Sequence, residues 1–298
     1  MNANKVWKWP WTVAAAVCVV AMMAAGCERA SRRAAGGTGG PASRATRDPQ
    51  ETARRARTYK VVHVFVTLCD NASQSIQPVP AALGNGQSPG ANLYWGAQYG
   101  IKSFFSRSPN WRGRVLRTFP TRPYVLDRAA FCDAAGGKGV WVVAEAYDGS
   151  RMREALADFF AAASGAGRVE FATGGQEAPV RIQAGGWADM VAFVGHNGLM
   201  DCPVPEVPER LRGGPTAGVV LACRSKDYFV VPLRRAGCRP LITTTGLMAP
   251  EAYCLDAIVR GWADGRSAGD VQAAAAAAYA KYQRCDARTA EKLFYAAP

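Results

Sequence analysis

Five short apolar runs restrict what this chain can fold into. KVVHVFVTL (60–68), VWVVAEAY (140–147), MVAFV (190–194), GVVLA (218–222) and PLITTT (240–245) are continuous in apolar and β-branched residues, with little polar alternation. A strand that faces water on one side alternates, whereas one covered on both faces does not. Between and after the runs lie segments with helical periodicity. SRMREALADFFAAASG (150–165) sets Met152, Ala155, Leu156, Phe159, Phe160 and Ala163 on one face and stops at Gly165. APEAYCLDAIVRGWADG (249–265) carries a stripe of Leu255, Ile258, Val259 and Trp262, and 267–284 opens with Ser267 three residues before Asp270, a capping-box-like start. A fourth helix is expected within NLYWGAQYGIKSFF (92–105), after the Gly/Pro/Asn-rich loop PAALGNGQSPGA. Strands alternating with helices imply an α/β fold, a three-layer α/β/α arrangement around a mainly parallel sheet. No repeat of 20 to 50 residues is visible, which disfavours solenoids.

The first 58 residues contribute nothing to that pattern. Residues 1–26 read as a signal segment: Lys5 and Lys8, an apolar stretch from about Pro10 to Ala25, then Ala24, Ala25 and Gly26 before Cys27. This arrangement looks like a lipoprotein signal, with Cys27 as the lipidated residue and the cell envelope as the location. Residues 27–58 lack large apolar side chains and read as a flexible Arg/Gly/Ala-rich tether to a domain over 59–298. Of the formal net charge of +13, ten Lys and Arg against Glu28, Asp48 and Glu51 place +7 within residues 1–57. The charge therefore favours a membrane surface over nucleic acid as its counterpart. Seven cysteines remain in the domain, Cys69, Cys132, Cys202, Cys223, Cys238, Cys254 and Cys285, an odd set that allows up to three disulfides and a free thiol. None has the spacing of a zinc site, and no motif implies a metal or organic cofactor. GQSPG (86–90) matches the serine-hydrolase elbow only in letters, because no strand precedes it and Pro89 lacks the N–H that the elbow needs.

In an open parallel sheet, ligands bind beyond the carboxyl ends of the strands. His196, one of two histidines in the chain, follows the run ending at Val194, and Cys223 follows the run ending at Ala222. If these strands are neighbours about 4.8 Å apart, an imidazole and a thiol share one edge of the sheet. A thiol beside an imidazole on a turn that opens a helix is disposed toward nucleophilic attack. The competing structural readings are a hydrogen-bonded turn histidine and an inert buried cysteine.

VAFVGHNG followed by VVLACRS resembles the histidine and cysteine blocks of the caspase-like cysteine peptidases, the group that holds caspases, legumain, gingipains, clostripain and CHAT-type proteins. The segment from Gly237 to Tyr282 is similar to the last strand and two helices of CHAT-type members. The resemblance implies a caspase-like fold, Cys223 as nucleophile and His196 as its acid-base partner, acting on a peptide or protein substrate. Family members usually have glycine directly after the histidine; here Asn197 precedes Gly198. The oxyanion donors implied are the backbone N–H of Cys223 with that of Asn197 or Gly198. Asn71, after the first strand, is the counterpart of an orienting asparagine in legumain-like members. Asp70 and Asp201 are candidates to receive a basic substrate side chain by charge complementarity. The alternative function is a non-catalytic binding or scaffold lipoprotein on the same fold.

Overall fold

A computed structural model of the chain describes residues 57–134, 139–175, 178–211, 213–215 and 217–297. The signal segment, Cys27 and the tether up to residue 56 lie outside them. Ten strands run in chain order as β1 (Lys60–Thr67), β2 (Trp111–Thr118), β3 (Val125–Asp133), β4 (Val140–Tyr147), β5 (Arg168–Gly174), β6 (Arg181–Gly185), β7 (Met190–Val194), β8 (Ala217–Leu221), β9 (Arg239–Thr244) and β10 (Phe294–Tyr295). The described helices are α1 (Ile101–Arg107), α2 (Met152–Ser164), α3 (Ser225–Arg235), α4 (Ala252–Ala263), α5 (Ala268–Gln283) and α6 (Ala287–Leu293).

All strands join one mixed sheet in the order β10-β9-β8-β7-β1-β4-β3-β2-β5-β6. The five runs that opened the sequence analysis are β1, β4, β7, β8 and β9. They form its parallel centre, with Val66 opposite Val194 and Val194 opposite Leu221. β2, β3, β5, β6 and β10 pair antiparallel. "Mainly parallel" therefore holds for the centre alone, and half of the strands depart from it. The physical reason is that β2 (WRGRVLRT) carries three Arg and much of it is exposed, and β5 (RVEFATG) alternates in burial, so neither has the apolar continuity that marks the central strands. At its far end the sheet curls back toward β1. There Gly185 at the end of β6 donates its N–H to the Nδ1 of His63, and Asp189 accepts from the Val61 N–H at 2.8 Å.

Helices cover both faces of the central strands. Val62, Val64 and Val66 of β1 face α1, α4 and α5, while Val61 and Phe65 face α2 and α3. The stripe read on α2 is the one it buries: Phe159 and Phe160 meet Phe229 of α3 at 6.2 and 5.9 Å between ring centroids, and Phe159 meets Phe193 of β7 at 5.7 Å. Each such ring contributes on the order of 1.5–3 kcal/mol by leaving water. Gly165 ends α2 in the left-handed conformation, φ +89°, which glycine adopts without a Cβ penalty. The Ser267 hydroxyl caps α5 by accepting from the Asp270 N–H at 3.1 Å.

The helix expected over 92–105 is shorter than the sequence suggests. Only Ile101–Arg107 is helical, because the Asn92 side chain is fastened to both backbone groups of Cys69. Around it, three N–H groups (Trp95, Gly96 and Ala97) converge on the Asn92 carbonyl, which closes the chain into turns. All seven cysteines of the domain are free thiols, so none of the disulfides that the odd set allowed is formed.

Candidate active site at the ends of β7 and β8

The order of the central strands reverses at β1, whose crossovers go to β4 on one side and β7 on the other. In open sheets the carboxyl ends of the strands at such a reversal are the usual ligand position. Continuing the β7–β8 register two residues past Val194 and Leu221 brings His196 opposite Cys223. The two turns are tied together. Gly195 donates to the Leu221 carbonyl at 3.2 Å, and the Asn197 side-chain amide donates to the Cys223 carbonyl at 2.7 Å. Asn197 also accepts from the Leu199 N–H at 3.1 Å, which caps the 3-10 turn Gly198–Met200.

Cys223 occupies a strand-to-helix turn that aims it at the edge. Arg224, the next residue, is left-handed at φ +50° and caps α3, so the chain reverses sharply between thiol and helix. The N-terminus of α3 lies just beyond, where partial positive charge favours an anion. The Met248 N–H donates to the Cys223 sulfur at 3.4 Å, and Tyr94, buried and hydrogen-bonded to the Cys69 thiol, stands within electrostatic reach. Burial pushes the Cys223 thiol up, and the Met248 N–H offsets that only in part. Among the described residues no hydrogen bond joins the His196 ring to the Cys223 sulfur. The arrangement is thus an unassembled pair, held at neighbouring positions with the thiol protonated.

His196 is almost buried, and its Nε2 meets a carboxylate oxygen of Asp201 at 2.6 Å. Asp201 also accepts from the Ser75 backbone N–H at 3.3 Å. Burial alone would raise the Asp201 carboxyl, but the hydrogen bonds from His196 and Ser75 outweigh it and hold the group below the usual carboxylate range. Of the expected oxyanion donors, the Gly198 N–H is already bonded to the His196 carbonyl at 3.0 Å. Of the other two expected donors, the Cys223 N–H lies against its own sulfur, and the Asn197 N–H has no hydrogen-bond partner among the described residues.

Three of the sequence expectations change role. Asn71 does not reach His196: its amide donates to the Val79 carbonyl at 2.7 Å and accepts from the Val79 N–H at 3.0 Å, closing its own loop. Asp70 is turned inward onto the Ala72 N–H, the Ser73 hydroxyl and the Gln87 amide, the pattern of an Asx turn. With Asp201 on the imidazole, neither carboxylate stands free for a basic substrate side chain. Sequence reasoning missed the Met248 backbone and the side chain of Asn197. The polar residue next to His196 was the one visible hint of the latter.

A cleft of about 820 Å³ lies elsewhere, between α1, α4 and α5, lined by Tyr99, Phe104, Tyr253, Asp256, Arg260 and Tyr282 among others. Asp256 is already bound by Arg260 and the Trp111 indole, and the residues lining the cleft include neither a cysteine nor a histidine. Among the described residues no three His, Cys, Asp or Glu side chains gather to hold a metal ion, and no helix is long and apolar enough to cross a membrane. Comparison of the chain with family models, curated proteins and solved structures gives no match.

Proposed function

We propose that the chain is a cysteine peptidase of caspase-like type, carried on a lipid tether in the cell envelope, with Cys223 as nucleophile and His196 as acid-base partner. The observation that carries this reading is the placement of His196 and Cys223 at facing positions beyond adjacent parallel strands, beside the strand-order reversal. In chain order the central strands run 2-1-3-4-5 across the sheet, an order that agrees with the caspase-like resemblance. The thiol proton passes to the imidazole and the sulfur attacks the substrate carbonyl carbon. The C–N bond then breaks as the imidazolium protonates the leaving amine. Water hydrolyses the thioester and restores the thiol. The N–H groups of Cys223 and Asn197 bear the oxyanion in both halves.

A second reading has its own support. The raised thiol and the missing hydrogen bond between ring and sulfur suit a non-catalytic binding module on the same fold. Timed labelling with a peptidyl chloromethyl ketone under mild reduction separates the two. The peptidase reading expects Cys223 to alkylate first among the seven thiols and His196→Gln to slow that reaction by roughly 10² or more, in line with general acid-base contributions. Labelling that persists unchanged in Cys223→Ser, or that ignores the loss of His196, establishes the binding module instead.

A further inference from the structure

We propose that Asp201 is the positioning residue of the site, which makes it a Cys223–His196–Asp201 triad in place of a dyad. The inference rests on the peptidase reading above. Its warrant is the 2.6 Å contact between Asp201 and Nε2 of an imidazole that is only 7% exposed. A ring nitrogen that faces a carboxylate at this distance carries the proton, because a lone pair there would repel the oxygen. Nε2–H is thereby fixed, and Nδ1 is left as the basic nitrogen that takes the thiol proton and returns it to the leaving amine. When the imidazolium forms, its added charge lies against the carboxylate.

The five-residue spacing is bridged by a built device. Asn197 caps the 3-10 turn Gly198–Met200, whose hydrogen bonds from Met200 to Asn197 and from Asp201 to Gly198 turn the carboxylate back toward the ring. Ser75, in the loop after β1, donates to the same carboxylate oxygen and holds it from the far side. Other charged groups lie at this end of the sheet, among them Arg224, next to Cys223 and paired with Asp227 at 3.0 Å. Arg153 of α2 acts on the neighbouring Cys202 thiol, and Asp70 is enclosed by its own loop. Among the described residues no Lys or Arg forms an ion pair with Asp201 in competition with His196.

The test is the rate of Cys223 alkylation by iodoacetamide between pH 5 and 9, read by peptide mass spectrometry in the full chain, its Asp201→Asn, Asp201→Glu and His196→Gln variants. One neighbouring charge moves a titration by about one unit, a tenfold effect. Asp201→Asn is therefore expected to lower the ratio of alkylation at pH 6 to that at pH 9 about tenfold, Asp201→Glu to restore most of it, and His196→Gln to abolish it. A profile that changes in His196→Gln but not in Asp201→Asn overturns the triad and leaves the dyad standing. A profile unmoved by His196→Gln overturns the peptidase reading itself. Circular dichroism of each variant identifies one that fails to fold, in which case the Asp201→Glu and Asp201→Asn profiles are compared with each other.

Discussion

Asn197 serves two turns at once, through its amide nitrogen to the Cys223 carbonyl and its amide oxygen to the Leu199 N–H, and it is fully buried while doing so. Asn197→Ala leaves both groups unsatisfied, each at a cost of about 1–3 kcal/mol. Urea unfolding of this variant is expected to show a loss of roughly 2–4 kcal/mol, and Asn197→Asp a loss at least as large, because its buried carboxylate faces the Cys223 carbonyl oxygen. Residues of this kind separate what could be read in the chain from what could not. His196 and Cys223 were legible because a rare residue type followed an apolar run directly, and the run fixed which end of the sheet it marked. Asp201 was legible only as a nearby negative charge. Its hydrogen bond to the imidazole depends on a 3-10 turn three residues long, which hydrophobic periodicity does not encode.

At the level of elements, the junction between β7 and its turn is closely packed against the backbone of β1. Gly195 has φ +144°, and a Cβ there would lie 2.8 Å from the Thr67 carbonyl oxygen of β1. Gly195→Ala is expected to destabilise the fold by about 2 kcal/mol or more, from strained backbone and forced separation of β1 and β7. It should also slow Cys223 alkylation, since His196 is the next residue. A melting curve together with the alkylation rate checks both, and an alanine variant with unchanged melting and rate contradicts the crowding. The strands that the sequence showed plainly are those whose two faces are both covered, where apolar side chains predominate and the few polar ones, such as His63 and Glu145, are paired. β2, by contrast, buries Trp111 and exposes Arg112, Gly113, Val115 and Arg117, so its pattern follows solvent and not the sheet. α3 was equally hidden. SKDYFVVPLRR contains Pro232, yet the helix continues past it and seats Phe229 and Leu233 in the core shared with α2 and β8.

For the whole molecule, the costliest feature is a carboxylate with no exposure at the centre of the sheet. Glu145 of β4 is bonded by His63 at 3.1 Å, Arg122 at 2.8 Å and Arg128 at 3.0 Å. Burial would raise its titration, but the His63 hydrogen bond and the charges of Arg122 and Arg128 outweigh that and hold it below its usual 4.5. The unfolded chain therefore takes up the proton first on acidification. The stability Glu145 contributes is complete above about pH 4.5 and is lost as pH falls through the lower folded value. Glu145→Gln should cost about 3 kcal/mol at pH 7, since two guanidinium groups lose their counter-charge. The gap between wild type and variant, read from urea midpoints, should narrow toward pH 3. A gap that stays constant with pH means that the carboxylate contributes shape and not charge. His63 completes this network with Nδ1 accepting from Gly185 and Nε2 facing Glu145, just as Nε2 of His196 faces Asp201. The chain has no third histidine. A sample labelled with nitrogen-15 in its imidazoles therefore carries one reporter locked in the sheet and one beside the thiol. An adduct on Cys223 that shifts the second resonance while the first stays in place can be followed in a single spectrum, with the core as its internal reference.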